Sequence, residues 1–279
     1  GDLATSTILP QLESLAEKKI IPGETLLFFD EIQVQPKAIT ALRYFYEELP
    51  QLHVIAAGSL LEFVVESAGM PVGRVSSLYL YPVSLGEFLQ EAHGTMVSFL
   101  EKHDLSQPIP EAIHQRLLQV LGEYLAVGGM PEALQCWMDT RSFPDIKRIH
   151  NDILDTYRQD FAKYSRLSHH RHLENVFQSV PRLIGEKFVY ARVDPSVRSR
   201  ELDAALSLLT RAKVVHRVVH SSSNGVPLGA EFNPRRFKTI FLDIGLAQTL
   251  LGMDDGAWIL DPETTVSNRG AIAEAFVGQ

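Results

Sequence analysis

One cysteine, Cys136, stands among 279 residues. A single thiol excludes an internal disulfide and any cysteine-built zinc site. No run approaches the roughly 18 uninterrupted apolar residues of a membrane helix, and no basic segment leads into an apolar one at the start, which leaves secretion unsupported. Internal repeats and low-complexity tracts are also lacking. What is present is ordinary for a globular protein: 45% hydrophobic and 22% charged residues, in a chain long enough for two domains. A cytoplasmic protein with no membrane partner is the expectation. The first residue is Gly1 rather than Met, and the last ten, "GAIAEAFVGQ", are an apolar helical pattern without a stop signal, so truncation at both ends is expected.

Acidity dominates, with a net charge of −8, but unevenly. Residues 158–238 hold 15 Lys+Arg against 7 Asp+Glu, a local +8, which leaves 11 against 27 elsewhere. A basic segment in an acidic chain points to a nucleic-acid or phosphate partner, or else to a solvated helical face.

In "ETLLFFDEIQ" four apolar residues, Leu26 to Phe29, run into two acids, Asp30 and Glu31. The run reads as a fully buried strand, bounded upstream by Pro22-Gly23. "PKAITALRYFYEEL" follows as a helix with Ile39, Leu42, Tyr46 and Leu49 on one face, and 53–57 in "HVIAAGSLL" reads as a second buried strand, stopped by Gly58-Ser59. Strand, helix and strand make a βαβ unit with parallel strands. Ligands in such sheets sit beyond the carboxyl ends of the strands, where Asp30, Glu31 and Ser59 all fall.

Residues 87–164 read as helical, with breaks at Gly94, Pro108-Ile109-Pro110, Gly128-Gly129-Met130-Pro131 and Pro144. "FVYARV" reads as extended. A helix over 199–212, with Leu202, Ala205, Leu206 and Leu209 inward, leads into a strand, and Asn224-Gly225 has hairpin-turn chemistry. Helix, helix and hairpin is the order of a winged helix. "KTIFLDIGLAQTLLG" gives a further strand and helix, with Asp243 marking the turn between them, and Trp137 and Trp258 are read as core residues.

An apolar strand ending in Asp-Glu matches a Walker B element. There the first acid holds Mg²⁺ with much of its water shell, and the second orients or deprotonates the attacking water. The alternative is that Asp30 caps the next helix. Ser59 sits where a neighbouring strand can sense a γ-phosphate, although serine after glycine is also common in turns. Arg74 is a candidate for charge stabilisation on a transferring phosphoryl group, or a surface cation. Arg198, Arg200, Arg211, Lys213 and Arg217 surround the 199–212 helix and suit DNA phosphates, although winged helices also serve as protein-binding modules. "SHHRH" (His169, His170, His172) does not place three imidazoles in metal geometry.

"LLFFDEIQ", "VIAAGSLLEF", "GRVSSLYLYPVSLGEFL", "EYLAVGGMPEAL", "YRQDFAKY" and "PLGAEFNPRRFKTIFLDIGLAQTLLG" occur in an order that resembles prokaryotic AAA-type ATPases carrying a C-terminal domain of unknown function. The resemblance covers nearly the whole chain. It implies an α/β fold: a partial P-loop NTPase core with a parallel sheet (1–86), a helical lid (87–164), a winged-helix-like region (165–235) and the start of a restriction-endonuclease-like α/β domain (236–279). It implies ATP and Mg²⁺ as ligands, with Walker B roles for Asp30 and Glu31, a sensor role for Ser59 and a sensor or finger role for Arg74. A homo-oligomer and DNA are the partners it brings into view. One element departs from the pattern: no GxxxxGK[ST] loop, the usual phosphate cradle, occurs in these 279 residues. The expectation is therefore poor ATP binding by this chain alone, with a DNA- or protein-binding module carrying a vestigial nucleotide site as the alternative.

Overall fold

The apolar run before Asp30 forms strand β1 (Leu26–Phe29), and β2 (His53–Ala56) pairs with it in parallel, with Leu26 opposite His53 and Phe29 opposite Ala56. The computed structural model describes residues 4–59, 71, 73–104, 106–164, 167–222, 225–226, 231–253 and 269–279. They divide into two units, Gly1–Tyr79 and Leu80–Gln279, of mixed α/β construction.

In the first unit α1 (Thr5–Ala16) precedes β1, and α2 (Pro36–Glu48) makes the crossover to β2. Pro36 opens α2, where its missing N–H costs nothing. Leu27, Phe29 and Val54 pack with Ile8 and Leu9 against Ala41, Phe45 and Leu52. The expectation that both strands are buried on both faces is corrected: Leu26 and Phe28 are 55% exposed and Ile55 51%. Successive strand side chains point to opposite faces, and among the described residues α1 and α2 cover one of them. Tyr46, expected inward on α2, is exposed, and its neighbour Phe45 is buried in its place.

The second unit is largely helical: α3 (Leu85–Lys102), α4 (Glu111–Val127), α5 (Pro131–Thr140), α6 (Phe143–Tyr164), α7 (Leu167–Arg182), α8 (Tyr190–Val193) and α9 (Ser199–Arg211). Strands β3 (Val215–Ser221) and β4 (Phe232–Phe241) then pair antiparallel, followed by α10 (Ile244–Leu250) and α11 (Arg269–Gly278). Ser84 and Glu87 close a capping box at the start of α3. Two expectations change here. The break at Gly94 is a kink inside α3, where His93 leaves helical geometry, and the extended "YARV" is the single helical turn α8. Helix α9 buries Leu202, Ala205, Leu206 and Leu209, the four positions its periodicity selects. Asn224 and Trp258 lie outside the described residues, whereas Trp137 is in the core and donates its indole N–H to Glu123.

Three distant stretches meet at Asp243, which is wholly buried. Its carboxylate accepts from the backbone N–H of Gly129 (2.6 Å) and from that of Leu246 (2.8 Å), the second bond capping α10. Gly128 sits at φ +73°, and a Cβ there would lie 2.3 Å from Asp243 Oδ1. A Cβ on Gly245 would lie 2.6 Å from the Val127 carbonyl oxygen. Val83 joins the corner through its N–H to the Gly129 carbonyl (2.7 Å) and its carbonyl to the Tyr124 hydroxyl (2.6 Å). Burial pushes the Asp243 carboxyl up to about 6, against the lowering effect of the backbone N–H donors.

His150, also fully buried, lies beside this corner. The Val127 carbonyl can only accept, so His150 Nε2 carries the proton (2.9 Å) and Nδ1 accepts from the Thr249 hydroxyl (2.9 Å). Burial lowers its imidazole to about 4.

Candidate strand-end site

The parallel pair does not stop where the strands do. Ala57 donates its N–H to the Phe29 carbonyl (2.8 Å), and Ile32 donates to the Ala57 carbonyl (3.0 Å). These bonds hold the ends of both strands together beyond β1 and β2. Between them the chain turns through Asp30 and Glu31 into a single 3-10 turn, Ile32–Val34.

Glu31 makes that turn at φ +49°, in the left-handed region that costs a side-chain-bearing residue roughly 1–2 kcal/mol. Among the described residues Glu17, Arg141 and Lys213 share this geometry. Glu17 and Arg141 are helix C-caps and Lys213 follows the C-cap of α9, where a left-handed residue is a common way to end a helix. Glu31 instead follows a strand. Backbone strain kept at such a place is a pointer to function.

Asp30 is exposed, and its Oδ1 accepts from the Glu31 N–H (3.0 Å). The capping alternative is not realised: the residue at the N-cap of α2 is Gln35, and no side chain caps that helix. Ser59, at the end of the second strand, joins the same edge through a residue that the motif analysis did not single out. Gln33, 3% exposed, directs its Nε2 at Glu31 Oε2 (2.5 Å) and at Ser59 Oγ (3.3 Å). No periodicity marks Gln33. The only sequence sign is a polar residue two positions beyond the acids.

Arg74 is placed elsewhere. Its Nε lies 3.2 Å from Glu47 Oε1, in the last turn of α2. Because α2 runs back between the two parallel strands, its C-terminal end lies at the start of β2, opposite the edge that carries Asp30, Glu31 and Ser59. The structure therefore assembles three of the four strand-end candidates and leaves Arg74 at the far end. The Arg43 guanidinium, with that of Arg74, holds the Glu47 carboxyl below the usual range.

In the second unit Arg198 stands at the N-cap position of α9 without a side-chain capping bond, and Arg198, Arg200 and Arg211 are exposed. Lys213 follows the end of the helix. Arg217 is committed inward. It donates to Asp203 (2.6 Å) and to the Tyr190 hydroxyl (3.0 Å), and its guanidinium stands 4.3 Å from the Phe237 ring centroid. A phosphate would have to compete with these partners. Burial opposes ionisation of Asp203, but bonds from Tyr190 and Arg217 outweigh it and keep the carboxyl below its usual range.

Oxygen donors fit Mg²⁺, a hard cation that retains water and takes one or two protein carboxylates together with substrate phosphates. Asp30 is an exposed carboxylate at this edge that could serve as one such ligand. Among the described residues no three His, Cys, Asp or Glu side chains cluster as a metal cage. No helix of the described residues is long and apolar enough to cross a membrane.

Residues 2–89 match the model of a family described as AAA domain, so the first unit is AAA-like, of a nucleotide-binding class. A second model, Domain of unknown function (DUF8612), matches residues 118–257, half of the sequence. The chain belongs to that family. Neither the curated proteins nor the solved structures that were searched returned a match.

Proposed function

We propose that the first unit is the Walker B half of an ATP-hydrolysing AAA-type site. The observation that carries this reading is the convergence of Asp30, Glu31 and Ser59 at the carboxyl edge of a parallel βαβ unit, with Glu31 held in a strained backbone conformation. Asp30 would hold Mg²⁺, which when bound neutralises charge on the phosphates. Glu31 takes a proton from water as the water oxygen bonds to the γ-phosphorus and the bond to the β–γ bridging oxygen breaks. Ser59 contacts the γ-phosphate. Arg74, at the opposite end of the unit, suits a contact with a neighbouring subunit better than one with the nucleotide of its own chain.

The phosphate cradle is not among these 279 residues, so turnover is measured on the entire product of the gene. Glu31→Gln should abolish it with Mg²⁺–ATP binding retained. Equal turnover in the two proteins would end the ATPase reading. Repeating the assay with duplex DNA tests the partner: stimulation that disappears when Arg198, Arg200 and Arg211 are neutralised supports a DNA-associated ATPase.

A second reading rests on a specific arrangement. Helices α7, α8 and α9 precede the antiparallel β3–β4 pair, with exposed Arg198 and Arg200 at the start of α9, an order we read as winged-helix-like. In that reading the region binds DNA or protein and the nucleotide site is vestigial. Loss of both acids would then leave partner binding intact, whereas neutralising the arginines would abolish it.

A further inference from the structure

The buried amide of Gln33 links the two candidate residues that belong to different strands. Its N–H₂ has two donors, and both have acceptors in reach: Glu31 Oε2 on the turn after β1, and Ser59 Oγ after β2. The orientation of the amide follows from chemistry. A carboxylate only accepts, so the nitrogen must face Glu31, and the oxygen faces away. That oxygen, Gln33 Oε1, is buried with no partner among the described residues. The side chain is therefore built into the wall of the site rather than lying across it, and one acceptor is kept dry beside the acids. Backbone geometry reinforces the arrangement. Gln33 belongs to the 3-10 turn whose first residue is tied to the Ala57 carbonyl, so its Cα position is set by both strands.

The geometry points to Gln33 as the positioning residue of this edge: it orients the Glu31 carboxylate and makes that orientation depend on Ser59. The inference rests on the ATPase reading for its purpose, but the link itself can be tested without it. If Ser59 turns its hydroxyl toward a γ-phosphate, the Gln33 amide loses one acceptor and its hold on Glu31 changes. A signal that the site is filled thus reaches the base through a single side chain. Asp30, bonded to the Glu31 N–H, fixes the backbone of the same residue, so the acid is held from both sides.

The first measurement is made without nucleotide. In ¹⁵N-labelled protein the Gln33 side-chain amide resonances are identified by their loss in Gln33→Met, a substitution of similar length without the amide. Glu31→Ala and Ser59→Ala should each shift those resonances. If either leaves them unmoved, the link is wrong, whatever the protein does with ATP. The second measurement separates kcat from nucleotide affinity in the entire gene product. Gln33→Met should lower kcat roughly 10- to 100-fold while Mg²⁺–ATP affinity stays within about twofold, and Ser59→Ala should cost less in that background than in the native protein. Losses that simply multiply, or that fall on affinity alone, overturn the proposal. A native protein with no turnover, matched by Glu31→Gln, defeats the ATPase reading while the resonance shifts still decide on the link. Should Gln33→Met fail to fold, Gln33→Asn, whose amide is too short to span both partners, takes its place under the same criteria.

Discussion

Asp30 and Asp243 each follow the apolar end of a strand, in "LLFFDEI" and "TIFLDIG", yet their surroundings are opposite. Asp30 is exposed and bonds the N–H of its own neighbour. Asp243 is wholly buried, caps a helix and accepts from Gly129, more than a hundred residues away. The two local sequences differ in what comes next. Ile-Gly after Asp243 lets a helix start at once, and Gly245 has no Cβ to strike the Val127 carbonyl. After Asp30 the chain takes a left-handed turn at Glu31, and α2 starts only at Pro36. A strand-end aspartate is thus structural where neighbouring amides close over it, and available for chemistry where the chain turns away.

The contrast can be broken most sharply at Asp243. Replacing it with Ala leaves buried amides without an acceptor and should cost about 3–5 kcal/mol in urea unfolding. Asp30→Ala should stay within about 0.5 kcal/mol. The next effect is pH-dependent. With its folded value raised to about 6, Asp243 favours the fold fully below its ordinary range, and that contribution is lost as pH rises through 6, roughly 3 kcal/mol in all. The melting temperature of the native protein relative to Asp243→Asn should therefore fall between pH 4 and 7. His150, lowered to about 4, has the opposite sign: its contribution is present above its ordinary value near 6.5 and is lost on acidification toward 4. The difference from His150→Gln should widen over the same interval.

A smaller effect compares glycines. Gly128→Ala meets both a left-handed backbone and Asp243 Oδ1, and should cost about 2–3 kcal/mol. Gly23 is equally left-handed, at φ +88°, but has nothing within 4 Å, so Gly23→Ala should cost only about 1–2 kcal/mol. Smallest of all, Phe28→Ser on the exposed strand face should change unfolding by less than about 1 kcal/mol, whereas Phe45→Ala in the core beneath should cost about 3–5 kcal/mol.

Much of this was legible because it depends on local pattern. The βαβ unit, the parallel pairing and the buried stripe of α9 follow from apolar spacing and turn residues. The rest depends on partners that spacing does not encode. Leu26 and Phe28 read as buried because an apolar run looks the same whether one face is covered or two. Arg74 looked close to the acids along the chain, but its bond to Glu47 takes it to the other end of α2. Arg217 reads from sequence as a phosphate-binding candidate beside the 199–212 helix, but Asp203, Tyr190 and Phe237 surround its guanidinium. Gln33 is marked in the sequence only as a polar residue two positions beyond the acids, since its contact with Ser59 arises only when the second strand is alongside.

The left-handed backbone at Glu31 carries a consequence for anyone who selects variants of this chain. Glycine relieves that conformation, so Glu31→Gly should fold at least as well as the native protein, with a gain of up to about 1 kcal/mol. A screen scored on thermal resistance or soluble yield alone would enrich this substitution and discard the carboxylate. If Glu31 serves as the base proposed above, selection for folding and selection for chemistry pull this one codon in opposite directions.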